Sequence, residues 1–170
     1  MSRKMLFFDI DGTLVAEGTH YLPQSAVNAI RKARENGHLV FINTGRTRFS
    51  IDDFLEEIGF DGYVCGCGTA IYVGEKTIFK NTLTKEYCRE IIKMLRTCNI
   101  TAVFEEENRV FFDEELPDHK ILHDLRARFG TKAFDIPKSL EDGEILFDKF
   151  VVWVNTVSDY TTIFQRNLIV

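Results

Sequence analysis

The sequence predicts an α/β fold: a doubly wound, parallel-sheet unit followed by a second α/β unit with more hairpin character. Three observations predict it. Short, continuously apolar runs at residues 5–9 (MLFFD), 38–43 (HLVFIN) and 62–65 (GYVC) read as strands buried on both faces. Stretches with helical spacing separate them. After Cys65 the rhythm breaks into closely spaced short strands punctuated by Gly66, Gly68 and Gly74.

Taken in order, the first strand leads into a loop marked by Gly12-Thr13 and Gly18-Thr19, and Pro23 opens a helix near Gln24. Ala26, Val27, Ile30 and Ala33 share one face of it, and Gly37 sits where a C-terminal cap belongs. The second strand ends in Asn43 and is followed by Thr44-Gly45-Arg46. A helix is expected over residues 48–58, with Ile51, Phe54, Leu55 and Ile58 on one face and Gly59 ending it. Residues 70–73 and 77–79 read as a hairpin around Gly74-Glu75-Lys76. Helices follow at 85–98 and 118–129, with strands at 101–104, 109–112 and 145–154, and the tail from Ser158 starts like another helix capped by that serine. The expected division is residues 1–80 as a core unit and 81–170 as a separate α/β lobe.

Composition excludes several classes. A chain of 170 residues with 45% hydrophobic and 28% charged residues can bury a core and does not resemble a disordered polymer. The 21 basic residues are scattered among 26 acidic ones, giving a net charge of −5 and no footprint for nucleic acid. No apolar run approaches the roughly 18 residues of a membrane span, and the charged start MSRKMLFFDID does not continue as a signal peptide, so the expectation is no membrane and a cytoplasmic location. Cys65, Cys67, Cys88 and Cys98 lack zinc-finger spacing and read as reduced thiols. His119 and His123, at i and i+4, lack the glutamate of H-E-x-x-H and read as a solvated helix face.

The chemistry concentrates where the first two strands end. In an open parallel sheet, ligands sit beyond the carboxyl ends of the strands, and Asp9, Asp11 and Thr44 all fall there. Two carboxylates two residues apart can divide labour, one ionised as nucleophile or metal ligand and the other exchanging a proton. Gly12 lets the backbone turn its N–H groups toward an anion, Thr44 offers a hydroxyl, and such oxygen donors suit Mg²⁺. Taken alone, the aspartates also fit an ordinary Asx-turn into Gly12-Thr13.

DIDGTL at residues 9–14, closing an apolar strand and paired with INTGR at residues 42–46, resembles the haloacid dehalogenase (HAD) superfamily of phosphohydrolases. The α/β insertion after the third strand is similar to that of the Cof-type subgroup, with its large α/β (C2-type) cap on a Rossmann-like core. The resemblance implies Asp9 as the nucleophile that forms an aspartyl phosphate and ligates Mg²⁺. It implies Asp11 as the acid and base, with its backbone carbonyl a second metal ligand. Gly12, Thr44 and Gly45 would bind the phosphoryl group, and Arg46 would contact substrate or serve as an ion-pair partner. The implied substrate is a small phosphorylated metabolite such as a sugar phosphate.

The same family uses a lysine and a GDxxND cluster in core sequence after the cap, and neither is found here. Glu141-Asp142-Gly143 and Asp113-Glu114-Glu115 do not follow suitable strands, and Lys149 belongs to a cap strand. The expectation is therefore an incomplete core and cap, truncated before those motifs, with an exposed sheet edge that a homodimer could cover. The alternative function is a catalytically silent remnant that binds phosphate or a partner. A receiver-like phosphoacceptor fits poorly, because it would carry its acceptor aspartate on a later strand. Residues 105–109 and 132–135 are expected as loops that set specificity, and Phe111 and Trp153 as packing residues.

Overall fold

Two compact units, one running to Asn81 and one from Thr82, make up the computed structural model, which describes residues 2–16, 19, 21–141, 143–159 and 161. The helix expected from Ser158 falls largely outside the described residues, as do Gly18 and Asp142. Among the described residues, no helix is long and apolar enough to cross a membrane.

The first unit holds a five-stranded sheet in the order β1-β2-β3-β4-β5. β1 (Met5–Phe8), β2 (Leu39–Asn43) and β3 (Gly62–Cys65) run parallel, with Phe8 opposite Ile42 and Ile42 opposite Tyr63. β4 (Ala70–Val73) and β5 (Lys76–Lys80) form the antiparallel hairpin and extend the same sheet from β3. Between β1 and β2, α1 (Gln24–Glu35) starts after Pro23 and ends with Gly37 at φ +85, donating its N–H back to Arg34 O. Val40, Ile42, Ile30, Leu55 and Ile58 meet in one core on the helix side of the sheet. On the opposite face Phe7 stacks on Phe41 at 5.1 Å, yet Met5 and Phe7 stay 61% and 52% exposed, so only one face of β1 is packed.

The regular helix expected over residues 48–58 is not formed. A 3-10 turn at Arg48–Ser50 is followed by extended backbone at Ile51 and a four-residue helix, α2 (Asp53–Glu56). Ile51 is buried to 4% exposure, and reaching the core from an extended residue interrupts the helical hydrogen bonding.

The second unit is a four-stranded sheet in the order β8-β7-β6-β9, with β6 (Thr101–Glu105) antiparallel to both β7 (Val110–Phe112) and β9 (Lys149–Trp153). α3 (Lys85–Thr97) is capped by Thr84, whose side chain accepts from Tyr87 N, and buries Cys88, Ile91, Ile92 and Leu95 against Ala102, Phe104 and Phe111. α4 (Lys120–Phe129) begins after His119, whose Nδ1 accepts from Ile121 N at 3.2 Å. The histidine pair is thus split in role: His119 caps the helix and stacks on Trp153, whereas exposed His123 pairs with Asp118.

Two boundaries differ from expectation. The strand expected at 145–154 is β9 alone. Ile145 and Phe147 precede it as irregular chain sunk into the core, and ladder bonding starts where Asp148 N donates to Glu105 O. Residues 133–135, expected as a loop, form β8 (Ala133–Asp135), parallel to β7 and prolonged by Ile136 N donating to Phe112 O. Three residues are too few for a period-two pattern to register in sequence.

Candidate active site

The DIDGTL segment folds as a tight turn pivoting on Ile10. Ile10 is fully buried and its carbonyl accepts from Thr13, Leu14 and Val15 N at 3.3, 3.1 and 2.9 Å. Gly12, at φ +77, donates to Val15 O at 2.9 Å, a left-handed conformation that glycine adopts without steric cost. Leu14 and Val15 are buried with Ile10, and Asp9 and Asp11 on either side of Ile10 are exposed. Burial of the residue between them is what turns both carboxylates outward.

Level with this turn in the parallel register, Thr44 follows β2 and donates its backbone N–H to Val64 O at 2.9 Å. It is buried to 3% exposure. Its hydroxyl oxygen accepts from Arg46 N at 3.2 Å, which leaves the hydroxyl proton available for another acceptor. The loop is stitched to the one after β3 by Cys67 N donating to Thr44 O and Gly66 N to Arg46 O. A Cβ at Gly45 would lie 3.3 Å from Cys67 Sγ, so glycine lets these two loops close up.

Arg46 is where the turn and the loop meet. Its Nε and Nη2 donate to the two oxygens of Asp11 at 3.0 and 2.7 Å, and its Nη1 donates to Asp52 Oδ2 at 2.8 Å and Ser50 O at 3.3 Å. The guanidinium is held above its ordinary pKa, first by the Asp11 hydrogen bonds, with burial opposing and Asp52 reinforcing. It stays fully charged. Of the expected residues, the structure thus joins Asp11 to Arg46 directly and puts Thr44, Gly45 and Arg46 in one loop, with Asp9 and Gly12 on the neighbouring turn. Lys149 lies in the second unit, 3.8 Å from Glu105 on the adjacent strand.

Sequence reasoning missed Asp52, Ser50 and Cys67. Asp52 carries the signature of a helix N-cap, which would have placed a helix start there, but nothing in its spacing ties it to Arg46.

A family model described as haloacid dehalogenase-like hydrolase matches residues 6–167. The chain belongs to this family. Among curated relatives of this HAD chain, YkrA of Bacillus subtilis (strain 168) is 31% identical over 139 residues, covering 82% of this chain and 52% of YkrA. Phosphatase YwpJ of the same strain is 28% identical over 123 residues, covering 66% and 43%. The HAD chain thus spans about half the length of the curated relatives it matches. Among solved structures, a protein from Geobacillus kaustophilus HTA426 matches with TM-score 0.73 and 24% identity, over 97% of this chain and 62% of that one. The HAD subclass IIB sugar phosphatase BT4131 matches with TM-score 0.64 and 26% identity, over 83% and 54%.

Proposed function

We propose that this chain serves Mg²⁺-dependent hydrolysis of small phosphorylated metabolites, sugar phosphates in particular, through an aspartyl-phosphate intermediate. We further propose that it belongs to the Cof-type branch, with residues 1–80 as core unit and 81–170 as α/β (C2-type) cap. The observation that carries the reading is the Ile10 pivot, which exposes Asp9 and Asp11 together beside the Thr44 loop at the carboxyl ends of parallel strands. The sugar-phosphate class draws support from the likeness to BT4131, a sugar phosphatase.

In the first step a carboxylate oxygen of Asp9 attacks phosphorus, the bond from phosphorus to the ester oxygen breaks, and Asp11 gives a proton to the departing alkoxide. In the second, water attacks phosphorus and passes a proton to Asp11, and the bond to Asp9 breaks to release inorganic phosphate. The Thr44 hydroxyl donates to a phosphoryl oxygen, whereas the N–H groups of Gly12, Thr13, Leu14 and Val15, expected to turn toward the anion, are instead committed within the turn to Val15 O, Asp9 O and Ile10 O. The Arg46 fork engages both Asp11 oxygens. Whenever Asp11 carries the transferred proton, the fork must release at least one of them.

Asp9 and Asp11 fit a magnesium site in donor chemistry. Both are exposed oxygen donors, and Mg²⁺ is commonly bound through one or two carboxylates with water and substrate phosphate completing its octahedron. Asp9 would hold the ion through its carboxylate and Asp11 through its backbone carbonyl. Bound there, Mg²⁺ supplies the charge neutralisation that lets an anionic carboxylate approach a phosphate dianion.

The test is phosphate release from a panel of sugar phosphates with and without Mg²⁺, comparing the parent chain with Asp9→Asn. Release that requires both Mg²⁺ and Asp9 is expected, and an Asp9→Asn protein as active as the parent sinks the mechanism. One observation favours a second reading, a catalytically silent domain that binds phosphate or a partner: among the described residues no group of three or more metal-capable side chains forms. Calorimetric titration with Mg²⁺ and inorganic phosphate separates the two, because tight metal binding contradicts the silent reading.

A further inference from the structure

Arg46 is supported from behind as well as engaged in front, and the support comes from the segment that fails to form its expected helix. The 3-10 turn at Arg48–Ser50 is pinned by Ser50, whose N and Oγ both donate to Thr47 O at 3.1 and 3.0 Å, and Thr47 is itself buried. Extended, buried Ile51 then turns the chain so that Ser50 O and the Asp52 carboxylate both reach Arg46 Nη1. Asp52 occupies the N-cap position of α2 but makes no side-chain capping bond. Such a bond ordinarily contributes about 1 kcal/mol, and here the carboxylate is directed at Arg46 instead.

We propose that Asp52 is a positioning residue that acts through Arg46 to fix the orientation of the Asp11 carboxylate at the strand mouth. The inference rests on the reading of Asp11 as the proton carrier. A guanidinium is a rigid plane, so anchoring Nη1 on Asp52 and Ser50 O sets the direction in which the opposite edge, Nε and Nη2, presents its two donors. The Asp11 side chain is 62% exposed, against 20% for Arg46 and 22% for Asp52, so the inner pair is the more enclosed part of the chain of contacts and Asp11 its solvent-facing end. Charge balance works in the same direction. Two carboxylates on one guanidinium leave a net negative cluster, so an incoming phosphate dianion does not pull Arg46 away from Asp11 as it would an arginine paired once.

Asp52→Ala and Asp52→Asn, made in the full chain and checked for folding by circular dichroism, test this with two readouts. The first needs no turnover: solvent exchange of the Arg46 Nε–H proton by ¹⁵N NMR, the signal being assigned by its loss in Arg46→Lys. Exchange should quicken by about tenfold in folded Asp52→Ala, the scale of one lost hydrogen bond to a charged group, with Asp52→Asn between it and the parent. The second is turnover of a sugar phosphate, where kcat should fall about tenfold while KM stays within about twofold. A merely structural Asp52 would lower the thermal midpoint and leave Nε–H exchange in the folded protein unchanged, and that result overturns the proposal, as does a rise in KM with kcat intact. An inactive parent would refute the hydrolase reading, and the exchange measurement then decides the positioning role by itself.

Discussion

Replacing Arg96 by alanine should unfold the second unit at much lower denaturant concentration, because it strands a buried charge. The Asp113 carboxylate has 0% side-chain exposure and is held by Arg96 Nε and Nη2 at 2.8 and 3.0 Å. The carboxylate also accepts from Glu115 N at 3.1 Å. The same guanidinium donates to Lys138 O at 2.8 Å and Pro137 O at 3.2 Å, so one side chain ties α3 to the ends of β7 and β8. Removing one partner of a buried pair costs about 3–5 kcal/mol, a large share of the roughly 5–15 kcal/mol by which a domain is stable. Urea unfolding followed by fluorescence measures it, since Trp153 is the sole tryptophan and lies on β9 opposite Thr101. A double variant separates the buried charge from lost packing. With Arg96→Met and Asp113→Leu together, neither charge is left unpaired, and the cost should fall below about 2 kcal/mol. The reasoning is refuted if Arg96→Ala costs less than about 1 kcal/mol, the range of exposed ion pairs, or if the double variant is as unstable as the single.

Two further perturbations follow from packing. A Cβ at Gly62 would lie 2.3 Å from Tyr72 O and 2.6 Å from Phe41 Cε1, so Gly62→Ala must push β3 from β4 and should lower stability by about 2 kcal/mol in a urea titration. Burial pushes the Cys88 thiol above its ordinary pKa, and the Tyr63 hydroxyl likewise. For Cys88 the unfolded chain then loses its proton first as pH rises, the native state holds more protons, and stability falls from about pH 8.5 upward. Midpoints measured between pH 8 and 10 should decline for the parent and decline less steeply for Cys88→Ala, and equal slopes would dismiss the thiol as a cause.

What was legible in the sequence was set by local periodicity. Leu39–Asn43 and Gly62–Cys65 were readable because parallel strands buried in the sheet interior are apolar almost without interruption, Met5–Phe8 because it is apolar throughout although one of its faces stays exposed, and α1 because Ala26, Val27, Ile30 and Ala33 repeat at its period. β8 was not, since its strand character comes from pairing with β7, a partner more than twenty residues away. Residues 145–148 were overread for the converse reason: their apolar side chains do enter the core, but from irregular backbone that pattern alone cannot tell from a strand.

The site divides along the same line. The outward pairing of Asp9 and Asp11 was legible from three consecutive positions, an apolar Ile10 between two carboxylates just beyond a strand end, since the turn that sinks Ile10 leaves its polar neighbours exposed. No such rule could reveal Asp52. Residues 48–58 satisfy the helical pattern, with Ile51, Phe54, Leu55 and Ile58 on one face, and a continuous helix would obey local propensity. The chain instead breaks at Ile51, and the break leaves Ser50 O outside any helical ladder and turns the Asp52 carboxylate from a capping role toward Arg46. Where a locally acceptable helix is given up and the released groups converge on one arginine beside the two aspartates, the departure from pattern itself marks the supporting structure of the site.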